Sequence, residues 1–555
     1  MKKIFYIAVC FSALVSLTAC EDMLKEEAYG KPTSEEMLSS EENIAKLVGQ
    51  TYAEVTWLHD HWGYWGINTL STDECVNPKR MPKGDWDDDG YWKGFNDQSW
   101  TPNDVSFEYV WQYSSAGAIL CNKILAQLEG TKEILDPTLY ARFVAELKVL
   151  RCYYYFTLFD DFGRIPYLTD YNGSIESVPQ SEPWEVWNKL VTTLEEEAEN
   201  LPLANVPSKD INYGRCTQGM AYTLLARLYL NAESYGVTPA NCGIEGITTA
   251  ADFQTRCIRA CDKVIDSKVY KIEDDFFTNF KIKNEVSEEN IFVIVENGLA
   301  SFNYRDVAGK MANKLRITML TLHYAHKDTW GLLTEPWSGF CAPKSFLDKY
   351  EYGVDHRGAC DSILGTKGCD GWGWFLGPIY KKDGTIGKNT AERGNTDAII
   401  TAAVTSLDNS TPNEGARLLK YEVDKQSAYE YCENDFVLLR YADVLYMKAE
   451  AILRGGEGDL AALLADPEFQ KIRTRAGVAA YTSLDLDELL DERGREFAWE
   501  CVRRRDLIRY DRFSQGTWDL KPKREKYMDW FPIPRKMIET SGGKWTQNEG
   551  YTTDK

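Results

Sequence analysis

From Asn43 to about Asp266, apolar residues recur three and four positions apart, the period that lays one apolar stripe along a helix. The pattern predicts helices over 43–57, 104–129, 137–159, 183–200, 216–233 and 250–266. In one of them Met220, Ala221, Leu224, Leu225 and Leu228 form the stripe, and Val437, Tyr441, Val444, Leu445, Ala449 and Ile452 repeat the arrangement later. Helical hairpins that each leave an apolar face for the next predict a mainly α fold with tetratricopeptide-like stacking, although no strict repeat length can be read off. Between about Asp274 and Asp435 the texture changes to Gly, Pro, Asn and aromatic residues, with only short apolar runs such as Ile291 to Val295. This predicts a loop-rich insertion region carrying short strands and helices, and an irregular stretch of that length marks a functional surface. Helical periodicity resumes over 436–454, 466–477 and 484–510. The resulting division is a helical region over 43–273 and a C-terminal region over 274–555, with a ligand surface at 274–435 and closing helices beyond it.

The first residues follow a different pattern. Lys2 and Lys3 precede an apolar run from Ile4 to Leu17, and Leu17-Thr18-Ala19 leads into Cys20. A bilayer span needs about 20 apolar residues, so this shorter run with a basic start reads as a removable export signal. Leu and Ala three and one positions before Cys20 fit lipid modification better than an ordinary secretory cut. Residues 1–19 are therefore expected to be a signal peptide, Cys20 the lipid-bearing residue, and 20–42 a charged tether that opens with Glu21-Asp22-Met23-Leu24-Lys25-Glu26-Glu27.

Composition narrows the partners. The chain of 555 residues has a net charge of −22. Of its 63 basic residues, Lys2 and Lys3 leave with the leader, so 61 oppose 85 acidic ones. That surface repels nucleic acid and other polyanions. Among the 14 cysteines, Cys121, Cys152, Cys257, Cys261 and Cys501 lie in helical, apolar surroundings and read as packed thiols. Cys360 and Cys369 share a Gly-rich loop and could pair in an oxidising compartment, which spacing alone does not decide.

Four ordered segments resemble the SusD/RagB family of outer-membrane nutrient-binding lipoproteins. They are Glu146-Leu147-Lys148-Val149-Leu150-Arg151-Cys152-Tyr153-Tyr154-Tyr155 with Phe162-Gly163-Arg164-Ile165-Pro166, then Arg440-Tyr441-Ala442-Asp443-Val444-Leu445-Tyr446-Met447-Lys448-Ala449-Glu450-Ala451, then Glu492 through Arg509, and lastly Phe531-Pro532-Ile533-Pro534 with Gln547-Asn548-Glu549-Gly550-Tyr551. The chain departs from the family at Cys501, where Gly is common, and at Glu549, where Pro is common. The resemblance implies a helical body at the cell exterior that caps a SusC-like TonB-dependent transporter and hands it oligosaccharide, without catalysis. In structural terms, Asp491 with Arg495 and Glu500 with Arg504 are four apart and are expected to pair on one helix face.

Residues 57–111 hold 7 of the 17 tryptophans: Trp57, Trp62, Trp65, Trp86, Trp92, Trp100 and Trp111. Trp57 and Trp111 read as core. Trp86, Tyr91, Trp92 and Trp100 lie among Asp, Gly, Asn and Pro, as loop residues do, and Trp330, Trp337, Trp372, Trp374 and Phe375 form a second group. A sugar offers a flat C–H face and a rim of hydroxyls, so its site needs aromatic planes edged by amides or carboxylates. The expected glycan-binding set is Trp86, Tyr91, Trp92, Trp100, Trp330, Trp337 and Trp374, with Asn68, Asp73 and Asn96 at the rim beside Asn77 and Asp97. A few such contacts give affinities between millimolar and micromolar.

Asp85-Trp86-Asp87-Asp88-Asp89-Gly90 opens like a calcium loop through Asp85, Asp87 and Asp89. The match then stops, because Lys93 and Asn96 occupy the ninth and twelfth positions, and an acidic turn is the plainer reading. His59 with His61, and His323 with His326, lack evident further metal ligands. No cofactor is expected. A lipid-anchored protein that binds neutral glycan and delivers it to a transporter leads the readings. A surface glycoside hydrolase and a transporter lid that binds peptide are the rivals.

Overall fold

The computed structural model describes residues 34–82, 86–203, 213–296, 317–360, 372–425 and 432–552. The expected signal peptide, Cys20 and most of the tether lie outside the described residues, as do Asp85 and Cys369.

Helices dominate, and their packing follows chain order. After a single turn at Ser34–Met37, short helices α1 (Glu41–Gly49), α2 (Ala53–Leu58) and α3 (Tyr64–Leu70) follow. The long helices α4 (Val105–Leu128) and α5 (Pro137–Phe162) then form a hairpin. Helix α6 (Pro183–Glu197) packs on α5, α7 (Gln218–Leu230) on α6, and α8 (Ala250–Asp266) on α7. Starts are fixed by side chains that accept the otherwise unpaired first N–H groups. Asp136 accepts from Thr138 and Leu139 with Pro137 in the first turn, Thr217 accepts from Met220, and Thr249 forms a reciprocal cap with Asp252. At Gly117 the α4 and α5 backbones come together over Tyr154, whose ring would lie 2.3 Å from a Cβ at that position.

The chain then leaves the stack. Strand β1 (Asn290–Ile294) is followed by a small sheet of β2 (Ala359–Cys360), β3 (Gly373–Phe375) and β4 (Arg417–Leu419). Strand β5 (Phe436–Arg440) returns to pair antiparallel with β1, and α9 (Tyr441–Leu453) lies directly on α8. The helical stack is thus interrupted after α8 and completed by α9. Residues 436–440, predicted as helix, form a strand buried on both faces, as a short apolar run can. Helices α10 (Pro467–Thr474), α11 (Leu486–Glu496) and α12 (Arg503–Arg509) close the chain.

The helix expected over 484–510 breaks between α11 and α12, where Trp499 and Cys501 adopt left-handed φ values of 61° and 62°. That conformation suits glycine best, which gives Cys501 its unusual place outside a helix. The break corrects the expected pairing of Glu500 with Arg504, and within α11 Asp491 and Arg495 each take other partners instead of one another. Glu500 meets Arg440 and Lys420, Arg504 faces Asp160 and Asp161, Arg495 pairs with Glu488 and Glu492, and Asp491 with Lys349.

These contacts belong to a buried ionic network. Arg440 reaches Glu289 at 2.6 Å, Glu496 at 2.8 Å and Glu500 at 2.8 Å; Arg475 shares Glu289 and Glu496, and Arg357 holds Asp355, Glu492 and Glu496. Arg503 grips Asp73 with two bonds of 2.7 Å, and Arg505 bonds Asp160 at 2.7 Å, which ties the last helices to the first half of the chain. Beside this network, Glu74 accepts from the Trp499 N–H, and burial pushes its carboxyl up to about 8.

Two outcomes are expected. Helix propensity alone makes Gly117→Ala stabilising by about 1 kcal/mol, whereas the Tyr154 ring makes it destabilising by about 1–3 kcal/mol; urea unfolding will give the second sign. A raised carboxyl makes its contribution to stability in full below its unfolded value of 4.5 and loses it as pH rises through about 8. Glu74→Gln will flatten that part of the stability profile, which melting curves between pH 4.5 and 8.5 check.

Candidate functional site

Two loops from distant parts of the chain meet over α3. The Trp86 N–H donates to the Trp337 carbonyl at 3.2 Å, and the two indoles face each other with centroids 5.0 Å apart and planes at 58°. Both residues are half-buried. Beneath them lies His61, edge-on to Trp86 at 5.2 Å and to Trp337 at 5.9 Å, with its Nδ1 2.5 Å from Asp60. Half-buried Trp62 and Tyr91 continue the surface, 5.2 Å apart and both in contact with Trp92. The Tyr91 hydroxyl bonds Ser106 at 3.1 Å, and burial raises it above the usual tyrosine value.

The geometry of the notch is held from behind. Met319 and Leu320 carbonyls accept from Trp337 and Gly339, and Ser338 turns through a left-handed φ of 58°. Two buried guanidiniums fasten this turn by its carbonyls: Arg80 donates to Gly339 at 3.1 Å and to Thr411 and Glu414, and Arg417 donates to Pro412 at 2.8 Å and more weakly to Ser338 and Gly339. Gly339 has no side chain because Trp86 covers it; a Cβ there would lie 2.5 Å from the indole. Phe340 packs on Trp86 at 5.1 Å and on Trp65 at 5.6 Å, linking the notch to the core.

Several expected ligand contacts are core residues instead, which corrects their reading as surface groups. Trp92 is fully buried and donates to Asp88. Trp100 is buried and donates to the Tyr551 hydroxyl, and Trp374 is enclosed between Phe346 and Trp499. Asn68 donates to Asp161 and the Tyr64 carbonyl, Asp73 is spent on Arg503, and Asn96 holds the Leu70 and Cys75 carbonyls. Each satisfies a buried partner rather than solvent. Trp330 is half-buried over His326 at 4.9 Å, in a satellite cluster apart from the notch. Asp87 accepts from the Arg80 N–H, Asp89 is exposed and pairs with Lys79, and Asp85 lies outside the described residues. His59 and His326 are buried, which pulls each down to about 3. Sequence reasoning missed Trp62 and His61 as members of the notch; their signal was adjacency to Trp57 in an aromatic-dense stretch.

A stack of helical hairpins interrupted by a loop-rich insertion is the fold of SusD-like proteins. The model of the SusD family matches residues 370–551, and a model described as starch-binding, associating with outer membrane, matches 24–230. The chain belongs to the SusD family. It is 24% identical over 525 residues to the starch-binding protein SusD of Bacteroides thetaiotaomicron, covering 88% of this chain and 85% of that protein. Among solved structures, it is similar to surface glycan-binding protein A from Bacteroides thetaiotaomicron in complex with laminarihexaose, with a TM-score of 0.69 at 20% identity over 92% of this chain and 99% of that one. A SusD superfamily protein from Parabacteroides distasonis aligns with a TM-score of 0.67 at 20% identity, over 94% of this chain and 100% of that one.

Gly339→Ala will displace the Trp86 indole, because the new methyl group occupies the space under it. Tryptophan emission will shift to longer wavelength as the ring gains water, while the melting temperature falls by only a few degrees.

Proposed function

We propose that this protein captures neutral glycan chains at the outer face of the outer membrane and passes them to a SusC-like TonB-dependent transporter, held to the membrane by lipid on Cys20. The observation that carries the reading is the Trp86 and Trp337 notch, two half-buried indoles from distant parts of the chain that meet at an angle of 58°. Such planes stack on the C–H faces of sugars. A net charge of −22 disfavours anionic chains. Membership of the family, a relative named for binding starch and a similar structure that holds laminarihexaose support the ligand class. The carboxylates beside the notch are engaged with protein groups, Asp60 with His61, Asp87 with the Arg80 N–H and Asp88 with the Trp92 indole, which favours binding over hydrolysis.

Affinity is expected between millimolar and micromolar, weak enough for hand-over. Trp86→Ala and Trp337→Ala will each weaken retardation by the bound polysaccharide in native gels about tenfold with little change in melting temperature. Unchanged retardation in both variants, or release of reducing ends by the wild-type protein, refutes the proposal.

A further inference from the structure

We infer that a cavity where α7 meets α11 and α12 binds one small monovalent anion such as chloride, held by the guanidiniums of Arg227, Arg493 and Arg505. The site lies apart from the notch and does not depend on the glycan reading.

The cavity measures about 20 Å³, above the roughly 10–15 Å³ that a water-sized occupant needs. It admits one monatomic ion and is too small for a phosphate or a sugar unit. Leu230, Met447 and Val502 supply apolar wall, which lowers the local polarity and strengthens any charge interaction inside. Arg227, Cys501 and Arg509 also line the cavity and are only half-buried, so ions in solvent can reach it.

The polar wall offers donors. Arg227 uses Nε and Nη2 on Asp443, Arg493 uses Nε on Asp506 and Nη1 on Asp443, and Arg505 uses Nε on the Asp160 carboxylate and Nη2 on its carbonyl. That leaves Nη1 of Arg227, Nη2 of Arg493 and Nη1 of Arg505 without a hydrogen-bond partner among the described residues, and none of the three is sealed off by its neighbours. The acceptors on the same wall are engaged. Asp160 accepts from Arg505, Tyr64 and Tyr235, Asp506 from Arg493 and Arg509, and the Asn231 side-chain carbonyl from Arg509. A water there would meet donors and find these acceptors already taken, whereas an anion needs donors only.

The charge count points the same way. Asp443 meets Arg227 and Arg493, Asp506 meets Arg493 and Arg509, Glu450 meets Arg509 and Arg454, and Asp160 meets Arg505 and Arg504. Four carboxylates therefore answer six guanidiniums. A fifth, Asp161, lies 3.5 Å from Arg504, but burial pushes its carboxyl up toward the neutral form. Unanswered charge inside a fold is costly, and one halide offsets part of the excess.

The test uses bromide and chloride. Crystals of the full chain soaked in bromide will show an anomalous peak inside the cavity, in contact with the three guanidiniums. In solution, replacing sodium gluconate, too large to enter, by sodium chloride at constant ionic strength and pH will raise the melting temperature along a saturating curve, by about 1–2 °C at about tenfold excess over Kd. Arg227→Gln, which leaves Asp443 its pair with Arg493, will lose both the peak and the rise. Arg227→Lys keeps a charge beside Asp443 but drops the free nitrogen; it will weaken chloride about tenfold, and it replaces the Gln variant if that one does not fold. A wild-type cavity that takes up water and no bromide overturns the inference. So does a melting temperature that is equal or lower in chloride, or a position 227 variant that keeps the peak and the rise at wild-type strength.

Discussion

Buried charge sets the terms for the rest of this fold. A guanidinium withdrawn from water costs several kcal/mol unless carboxylates meet it with complete hydrogen bonds, and Arg440, Arg475 and Arg357 achieve this only by sharing Glu289, Glu492, Glu496 and Glu500. The partners come from the start of β1, from α11 and from the turn after it, so the network closes only when these elements are all in place. Arg503 and Arg505 extend the same demand to Asp73 and Asp160 in the first half. From there the path to the notch is short. The Trp65 indole donates to the Trp499 carbonyl, Trp499 donates to Glu74, and Trp65 packs on the Phe340 that supports Trp86. The family-like motifs around Arg440 and Glu496 thus support the notch by fixing what lies under it.

Most of the helical scaffold was legible in the chain. The stripes at 104–129, 137–159 and 250–266 correspond to α4, α5 and α8, because amphipathic helices on a stack must keep their apolar faces at one period. The strand β5 was not legible, since five apolar or buried residues in a row satisfy a helix and a two-sided strand equally. Pairings such as Glu500 with Arg504 failed because they assume an unbroken helix, and the left-handed turns at Trp499 and Cys501 carry no glycine to announce them.

The make-up of the candidate notch was half legible for a related reason. Trp86 and Trp337 stand out in polar text, but so do Trp92 and Trp100, and composition cannot say which side of a loop faces inward. What decides is a distant hydrogen-bond partner: Tyr551 takes the Trp100 N–H into the core from the far end of the chain. The notch residues are held differently, through backbone carbonyls gripped by Arg80 and Arg417, so their rings are preorganised without being enclosed.

The interrupted stack has a consequence for how the chain comes together. Helix α8 waits for α9, and everything from Ser267 to Arg440 must be made before that partner exists. Contacts of such long sequence separation form late, and an uncovered apolar stripe adheres to other unfinished chains meanwhile. Emerging from its N-terminus, the polypeptide therefore carries a sticky, unfinished edge from the completion of α8 at Asp266 until α9 is made at Tyr441–Leu453. Covering that edge falls to the last third of the chain, so a truncation before α9 leaves α8 without its partner.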